Sequence, residues 1–162
     1  MSRDVSVLRL RPFTEADDAE LLTWFATPAD LRRFAGPNAT WPPTGEQLAR
    51  WREDPLIEAW SAAKPADDRL LGHVQIVATG PGTSRLARVA IAPRERGAGL
   101  GRELVSAAPR RADARRIASV DLHVYEDDEP AVRLYASLGC TDLGPHPGQP
   151  TVKRMRRRMP AG

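Results

Sequence analysis

The stretch Val89-Ala90-Ile91-Ala92-Pro93-Arg94-Glu95-Arg96-Gly97-Ala98-Gly99-Leu100-Gly101 constrains this chain more than any other. An apolar run closes at Pro93, which cannot continue a sheet ladder. Three glycines then fall within five residues, and a helical pattern opens at about Gly99 and extends to Arg115. Glycine admits positive φ and lets a ligand approach the backbone closely. The order predicts strand, tight turn, helix. Successive N–H groups at a helix start form a concavity for anions, and the helix dipole adds to it. A pyrophosphate fits that geometry, with the Arg96 guanidinium as a charged donor at the mouth, though a glycine-rich turn by itself also reads as a plain tight turn. The spacing is not Gly-x-Gly-x-x-Gly. Nor is it a Walker loop, because Arg102 follows Gly101 where lysine and then Ser or Thr are required.

The rest of the chain alternates strands and helices around this unit. Val5 to Arg11 reads as a strand with Leu8 and Leu10 on one face, ended by Pro12. Thr14 with Asp17 and Thr44 with Gln47 are helix-opening pairs. The first helix carries Leu21, Leu22 and Phe25, and a second short helix spans Pro28 to Phe34. Leu56 to Ala62 and Arg69 to Ala78 flank a polar turn and predict a hairpin. Another strand covers Arg85 to Ala92. Val120, Leu122 and Val124 alternate with Asp121, His123 and Tyr125, the pattern of a half-buried strand. Ala131, Leu134, Tyr135 and Leu138 fall on one helical face, and Gly139 stops that helix. Thr141 to Leu143 and Thr151 to Met159 close the chain as a strand pair across a Pro/Gly loop. This is a mixed α/β sheet with helices on its faces.

At 162 residues the chain predicts a single domain, 1–162. No apolar run approaches the ~20 residues of a membrane span, and the first residues carry no apolar signal segment. One cysteine, Cys140, excludes an internal disulfide and a cysteine-pair metal site. The expectation is a cytoplasmic protein without a metal. Lys153 to Arg158 is a basic run and Glu126 to Glu129 an acidic one. The basic run reads as a solvated last strand with Met155 and Met159 turned inward. Nucleic acid ranks last among partners, because no aromatic-interleaved patch or recognised motif accompanies it.

Arg96-x-x-Gly99-x-Gly101, after a Val-x-x-x-Pro strand end, resembles the acyl-CoA pyrophosphate loop of GNAT acetyltransferases. Val124-x-x-x-Asp128-x-x-Ala131-x-x-Leu134-Tyr135-x-x-x-Gly139-Cys140 resembles the second motif of that family, which usually reads Val-x-x-x-Asn-x-x-Ala-x-x-Leu-Tyr-x-x-x-Gly-Phe. Leu10-Arg11-Pro12 before an acid-rich helix matches its usual beginning. The resemblance runs from about Val5 to Met159. It implies a central, mostly antiparallel sheet of about seven strands with helices on both faces. It implies acetyl-CoA as co-substrate and a primary amine, of a small molecule or a peptide, as acceptor. Backbone groups of Val89, Ala90 and Ile91 would hold the pantetheine arm and polarise the thioester carbonyl. The loop from Arg96 to Gly101 would hold the pyrophosphate, with Asp128 and Ala131 also at the cofactor. Tyr135 would be the general acid for the departing thiolate. Family members often pair as homodimers, and nothing in the sequence decides this.

Three positions depart from the pattern. Asp128 replaces the usual Asn, Cys140 the usual Phe, and Arg85 stands where many members carry an acid early in the strand. His73, His123 and Glu126 remain as candidate general bases. Pro109 interrupts the helix after the loop and should release the Val105 carbonyl. The loop from Phe34 to Pro43 could line an acceptor pocket, with Trp41 as the residue to test. A non-catalytic acyl-CoA-binding module is the alternative from another class; Arg85 and Asp128 favour it and Tyr135 opposes it.

Overall fold

A computed structural model of the chain describes residues 8–111 and 117–160. Seven strands make one sheet: β1 (Arg9–Pro12), β2 (Ile57–Ala63), β3 (Leu70–Gly80), β4 (Thr83–Ile91), β5 (Ser119–Tyr125), β6 (Thr141–His146) and β7 (Gln149–Arg158). Their order is β1-β2-β3-β4-β5-β7-β6. Only β4 and β5 pair in parallel; the other neighbours are antiparallel. A parallel pair needs a crossover, and α4 (Leu100–Arg111) lies in it. The remaining helices are α1 (Asp18–Leu22), α2 (Pro28–Ala35), α3 (Gly45–Glu53) and α5 (Glu129–Ser137).

The sheet buries both faces. On one, Leu104 and Val105 of α4 and Tyr135 of α5 pack with Val74, Ile76 and Leu122. On the other, α1 to α3 bring Leu21, Leu31, Phe34 and Leu48 together with Phe13 and Trp24. The β5 alternation is borne out: Val120, Leu122 and Val124 are buried, whereas Asp121, His123 and Tyr125 are half-buried. Most N-terminal aromatics thus serve packing of helices onto the sheet.

Several boundaries differ from the sequence reading. The helix after Thr14 is a 3-10 turn, Glu15–Asp17, followed by α1, which stops before Phe25. The Thr23 hydroxyl donates to the Glu20 carbonyl at 2.6 Å; such local bonds compete with helix continuation. The closing strands reach further into the Pro/Gly loop, to His146 and from Gln149. β6 is the edge strand, where Pro145 sacrifices no necessary ladder bond and Gly144 takes φ 89° at a register shift. α4 carries Pro109 buried within it and still runs on to Arg111. The expected positions 5–7 of the first strand and 112–115 of this helix lie outside the described residues.

β7 is not a free basic tail. It lies between β5 and β6, with Met155 buried and Met159 packed against the core. Lys153 pairs with Asp142 at 3.2 Å and Arg156 with Asp121 at 2.7 Å.

A buried carboxylate joins the first elements. Asp17 accepts two bonds of 2.8 Å from the Arg11 guanidinium, one of 2.8 Å from the Ser61 hydroxyl and one of 3.2 Å from the Thr14 amide. Burial alone would raise the Asp17 carboxyl; these donors outweigh it and hold the carboxyl below its ordinary range. Removing one partner of such a pair leaves a buried charge uncompensated and costs about 3–5 kcal/mol. Asp17→Asn is therefore expected to lower unfolding free energy by about 3 kcal/mol, measured in urea at pH 7. The folded pKa is depressed, so this contribution is present above pH ~4 and is lost as pH falls through the folded value. The gap between the two proteins should narrow below pH ~4; an equal gap at pH 7 and pH 3 would contradict the assignment.

Candidate active site

β4 and β5 pair only from Thr83–Ser119 to Leu86–Leu122, yet both strands continue, to Ile91 and Tyr125. The cause lies at Arg88. Its φ is 49°, a left-handed conformation that costs a non-glycine residue about 1–2 kcal/mol. Register against β3 shifts at the same place, between His73 and Gln75. A bulge of this kind bends and twists a strand. Beyond it, β4 leaves β5, and the backbone from Ala87 to Ile91 has no strand partner on that side.

The bulge is held by side chains. Arg88 donates from Nη1 to Gln75 Oε1 at 2.6 Å and stacks over the Trp51 ring at 4.3 Å. Gln75 in turn meets His73, Nε2 to Nε2 at 3.2 Å. Both Gln75 and His73 are fully buried. Burial and the Arg88 charge push His73 down to about 3, so it is neutral at any physiological pH. It lines neither of the two cavities described below, and its ring packs edge-on to Phe13 at 4.6 Å. Of the candidate bases, His73 is a structural residue supporting the bulge.

A cleft of about 510 Å³ opens where the strands part. Val89, Ala90 and Ile91 line it along β4, and Arg96, Gly97, Gly99, Leu100 and Gly101 line it at the turn. Gly97 and Gly99 take φ 84° and 81°, which explains glycine at both. Gly99 directly precedes α4 and has no side chain to cap it, so the first-turn amides are not capped from that position. Arg96 is exposed and donates to the Ile91 carbonyl at 3.3 Å. Ala98 is exposed and is not part of the lining.

From the opposite side come Asp128, Pro130, Ala131 and Leu134. Asp128 caps α5: its Oδ1 accepts the Ala131 amide at 3.3 Å. Capping needs only an acceptor, so the change from the family's Asn keeps this function. Tyr135 is 8% exposed and sits in the core rather than in the cleft lining. Burial first, then Asp128 and Cys140, raise its hydroxyl pKa, so the hydroxyl keeps its proton. Cys140 is a buried free thiol, raised by burial.

A second cavity of about 240 Å³ continues along the other half of β4 and shares Arg33 and Phe34 with the first. Arg85 and Arg88 of β4, His123 and Tyr125 of β5, and His146 and Gln149 of the last hairpin surround it. Burial, then Arg85 and His146, push His123 down to about 4. Its Nδ1 lies 3.4 Å from Arg85 Nη1. Glu126 lies elsewhere, beside Asp142 and Lys153. Trp41 is 40% exposed and lines neither cavity; the part of that loop that does so is Phe34 to Pro37. The sequence reading did not find Arg88, His146 or Gln149. Their convergence depends on the bulge and on the β6–β7 hairpin, which no local pattern shows. No group of three or more metal-binding side chains occurs among the described residues.

Residues 19–140 match the Acetyltransferase (GNAT) family. Mycothiol acetyltransferase of Thermobispora bispora is 34% identical over 144 residues, covering 83% of this chain and 46% of the relative. That of Tsukamurella paurometabola is 33% identical over 92 residues, 56% of this chain and 32% of the relative. The chain spans less than half the length of these curated relatives. Among solved structures, a domain from Methanocaldococcus jannaschii superposes with TM-score 0.77 at 16% identity, covering 94% and 98% of the two chains. Spermidine N-acetyltransferase from Vibrio cholerae in complex with CoA and spermine gives 0.74 at 19%, covering 94% and 96%. The matched segment takes in the glycine loop, the parted strands and α5, and the chain belongs to the GNAT acetyltransferase family.

Proposed function

We propose that this chain transfers the acetyl group of acetyl-CoA to a primary amine by direct attack. The observation that carries the reading is the continuity of three features. The β4–β5 gap, the glycine turn at the start of α4, and a second cavity beyond the bulge follow one another along one strand. The pyrophosphate would lie on the amides from Gly97 to Gly101 with Arg96 beside it. The pantetheine arm would pair with the free edge of Val89 to Ile91, and Ala131 would close the opposite wall. One amide of that edge would polarise the thioester carbonyl.

In the reaction the amine nitrogen bonds the carbonyl carbon as the carbon–sulfur bond breaks. The amine proton leaves to water, and the thiolate takes a proton for which Tyr135 is the proposed donor, reprotonated afterwards from water. Tyr135 packs in the core beside the cleft-lining Ala131 and Leu134 of α5, so this role requires its hydroxyl to reach the sulfur when the cofactor is bound. Positioning supplies much of the rate, because no covalent enzyme intermediate is needed. His123 is a poor base here, held low with Arg85 against its Nδ1. The cations around the second cavity disfavour an ammonium, which supports acceptance of the amine in neutral form. This leans toward α-amines, which titrate near ~8, over lysine-type amines near ~10.4. No helix among the described residues is long and apolar enough to cross a membrane.

Acetyl-CoA turnover by thiol release, run against amines, amino acids, polyamines and short peptides, tests the reading. Tyr135→Phe is expected to lower kcat at least about tenfold with acetyl-CoA affinity retained; unchanged kcat would remove Tyr135 from the mechanism. Acetyl-CoA binding without turnover on any acceptor would mark a non-catalytic binding module, and no binding would overturn the proposal. Gly99→Ala forces φ 81° on a residue with a Cβ, at about 1–2 kcal/mol. It should raise KM for acetyl-CoA roughly tenfold. Gly101→Ala should be milder, because its added Cβ meets Leu134 at 3.6 Å and Ile91 at 3.9 Å, ordinary contact distances. Equal KM values for the two variants would count against the turn as the phosphate cradle.

A further inference from the structure

The charged side chains that line the second cavity are all cations. Arg33, Arg85 and Arg88 line it, and none of its described lining residues is Asp or Glu. Arg33 is exposed and has Asp127 at 3.6 Å. Arg85 and Arg88 are half-buried, and neither forms an ion pair among the described residues. Arg85 has only the His123 ring nitrogen at 3.4 Å. Arg88 bonds the neutral amide of Gln75, and its Nε is buried with no hydrogen-bond partner. Arg154, in register with His123 on β7, likewise keeps a buried Nε without a partner.

The nearby acids do not cancel this field. Asp54 attracts Arg88 without reaching ion-pair distance, and Asp121 faces His123 but is held by Arg156 at 2.7 and 3.1 Å. Burial lowers both arginines, and Arg88 is lowered further by Arg85, to about 10. Half-buried cations that repel one another and lack a counterion are costly unless something anionic completes the site. Guanidinium groups match carboxylate and phosphate through paired N–H donors.

We infer that the second cavity selects an acceptor amine that also carries an anionic group, a carboxylate or a phosphate, bound between Arg85 and Arg88. This rests on the acetyltransferase reading above. The bulge puts Arg88 next to Val89, so an anion held there leaves the amine of the same small molecule facing the parted strand edge. The cavity volume is below the ~300–1,000 Å³ of drug-sized sites, which favours an amino-acid-sized occupant. A polycationic amine would set its second ammonium against the arginines, at a like-charge cost.

The test uses matched acceptors at saturating acetyl-CoA: amino acids against their amides, O-phosphoethanolamine against ethanolamine, and spermidine. An acidic member is expected to exceed its neutral partner at least about tenfold in kcat/KM. The amino-acid and phosphate pairs distinguish the two anions. Arg85→Gln and Arg88→Gln should each erase that ratio; calorimetric CoA affinity is expected to stay as in the native chain in Arg85→Gln, the variant that leaves the Arg88–Gln75 bond and the Trp51 stack of the bulge intact. Neutral amides or spermidine turned over better, or an unchanged ratio in both variants, would overturn the inference. A second readout needs no turnover. With CoA saturating the glycine turn, inorganic phosphate and glycine are titrated calorimetrically into the native chain and the two variants. Binding to the native chain that weakens about tenfold in the variants supports the anion site; no binding, or binding unchanged in them, overturns it. Absence of CoA binding would instead strike the acetyltransferase reading, so the two failures are separable.

Discussion

The left-handed Arg88 is the constraint on which this site depends. An L-residue at φ 49° inside a strand persists only because its surroundings over-determine it. Here those surroundings are a hydrogen bond to Gln75, a stack on Trp51, and behind Gln75 the buried ring of His73 among Phe13 and Phe34. The bulge ends the β4–β5 pairing after Leu86 and so creates both the cleft and a strand edge free to bind a ligand. Helices α1 to α3 thus contribute to the site indirectly. They supply the aromatic packing that keeps His73 neutral and the bulge in place.

The bulge also divides the site electrically. On the Val89 side, helix-start amides and Arg96 form a shallow, open positive end suited to a diphosphate. On the Arg85 side, the positive charge belongs to half-buried side chains, Arg85 and Arg88, that form no ion pair among the described residues. The acetyl carbon would lie between the two, in an edge lined by small and apolar residues. Such a layout uses backbone dipoles where a large ligand must slide in and side-chain charge where a small one must be selected. It also bears on proton inventory. His123 is held neutral but weakly basic, and Tyr135 holds its proton through burial. In the proposed reaction, proton gain by the thiolate would draw on Tyr135 and proton loss from the amine would fall to water.

α5 shows how one residue can satisfy both motif and fold. Asp128 departs from the family's Asn, yet its oxygen accepts the Ala131 amide and starts the helix. The helix then turns Ala131 and Leu134 to the cleft and Tyr135 into the core. Asn and Asp are near-equal caps, so the substitution alters the charge at the cleft wall without altering the helix start.

The sequence by itself determined the element order, the β5 alternation, the cap at Thr44 and the glycine turn; that Asp128 caps α5 came from the structure. Each is written in residues close along the chain, where periodicity, capping and positive φ act locally. It also carried the two motifs that identify the family. It did not determine where β4 leaves β5, because a bulge at an arginine follows from packing against His73, Gln75 and Trp51 rather than from any propensity of Arg88. It did not show that the basic run of β7 would be an interior strand, nor that Arg85, Arg88, His123 and His146 would share one cavity. Trp41 looked suited to that cavity by its place in a rigid loop, but the chain turns it outward. Such juxtapositions join residues far apart along the chain, and only tertiary packing, which decides which faces close on each other and which charges are left without partners, could set them.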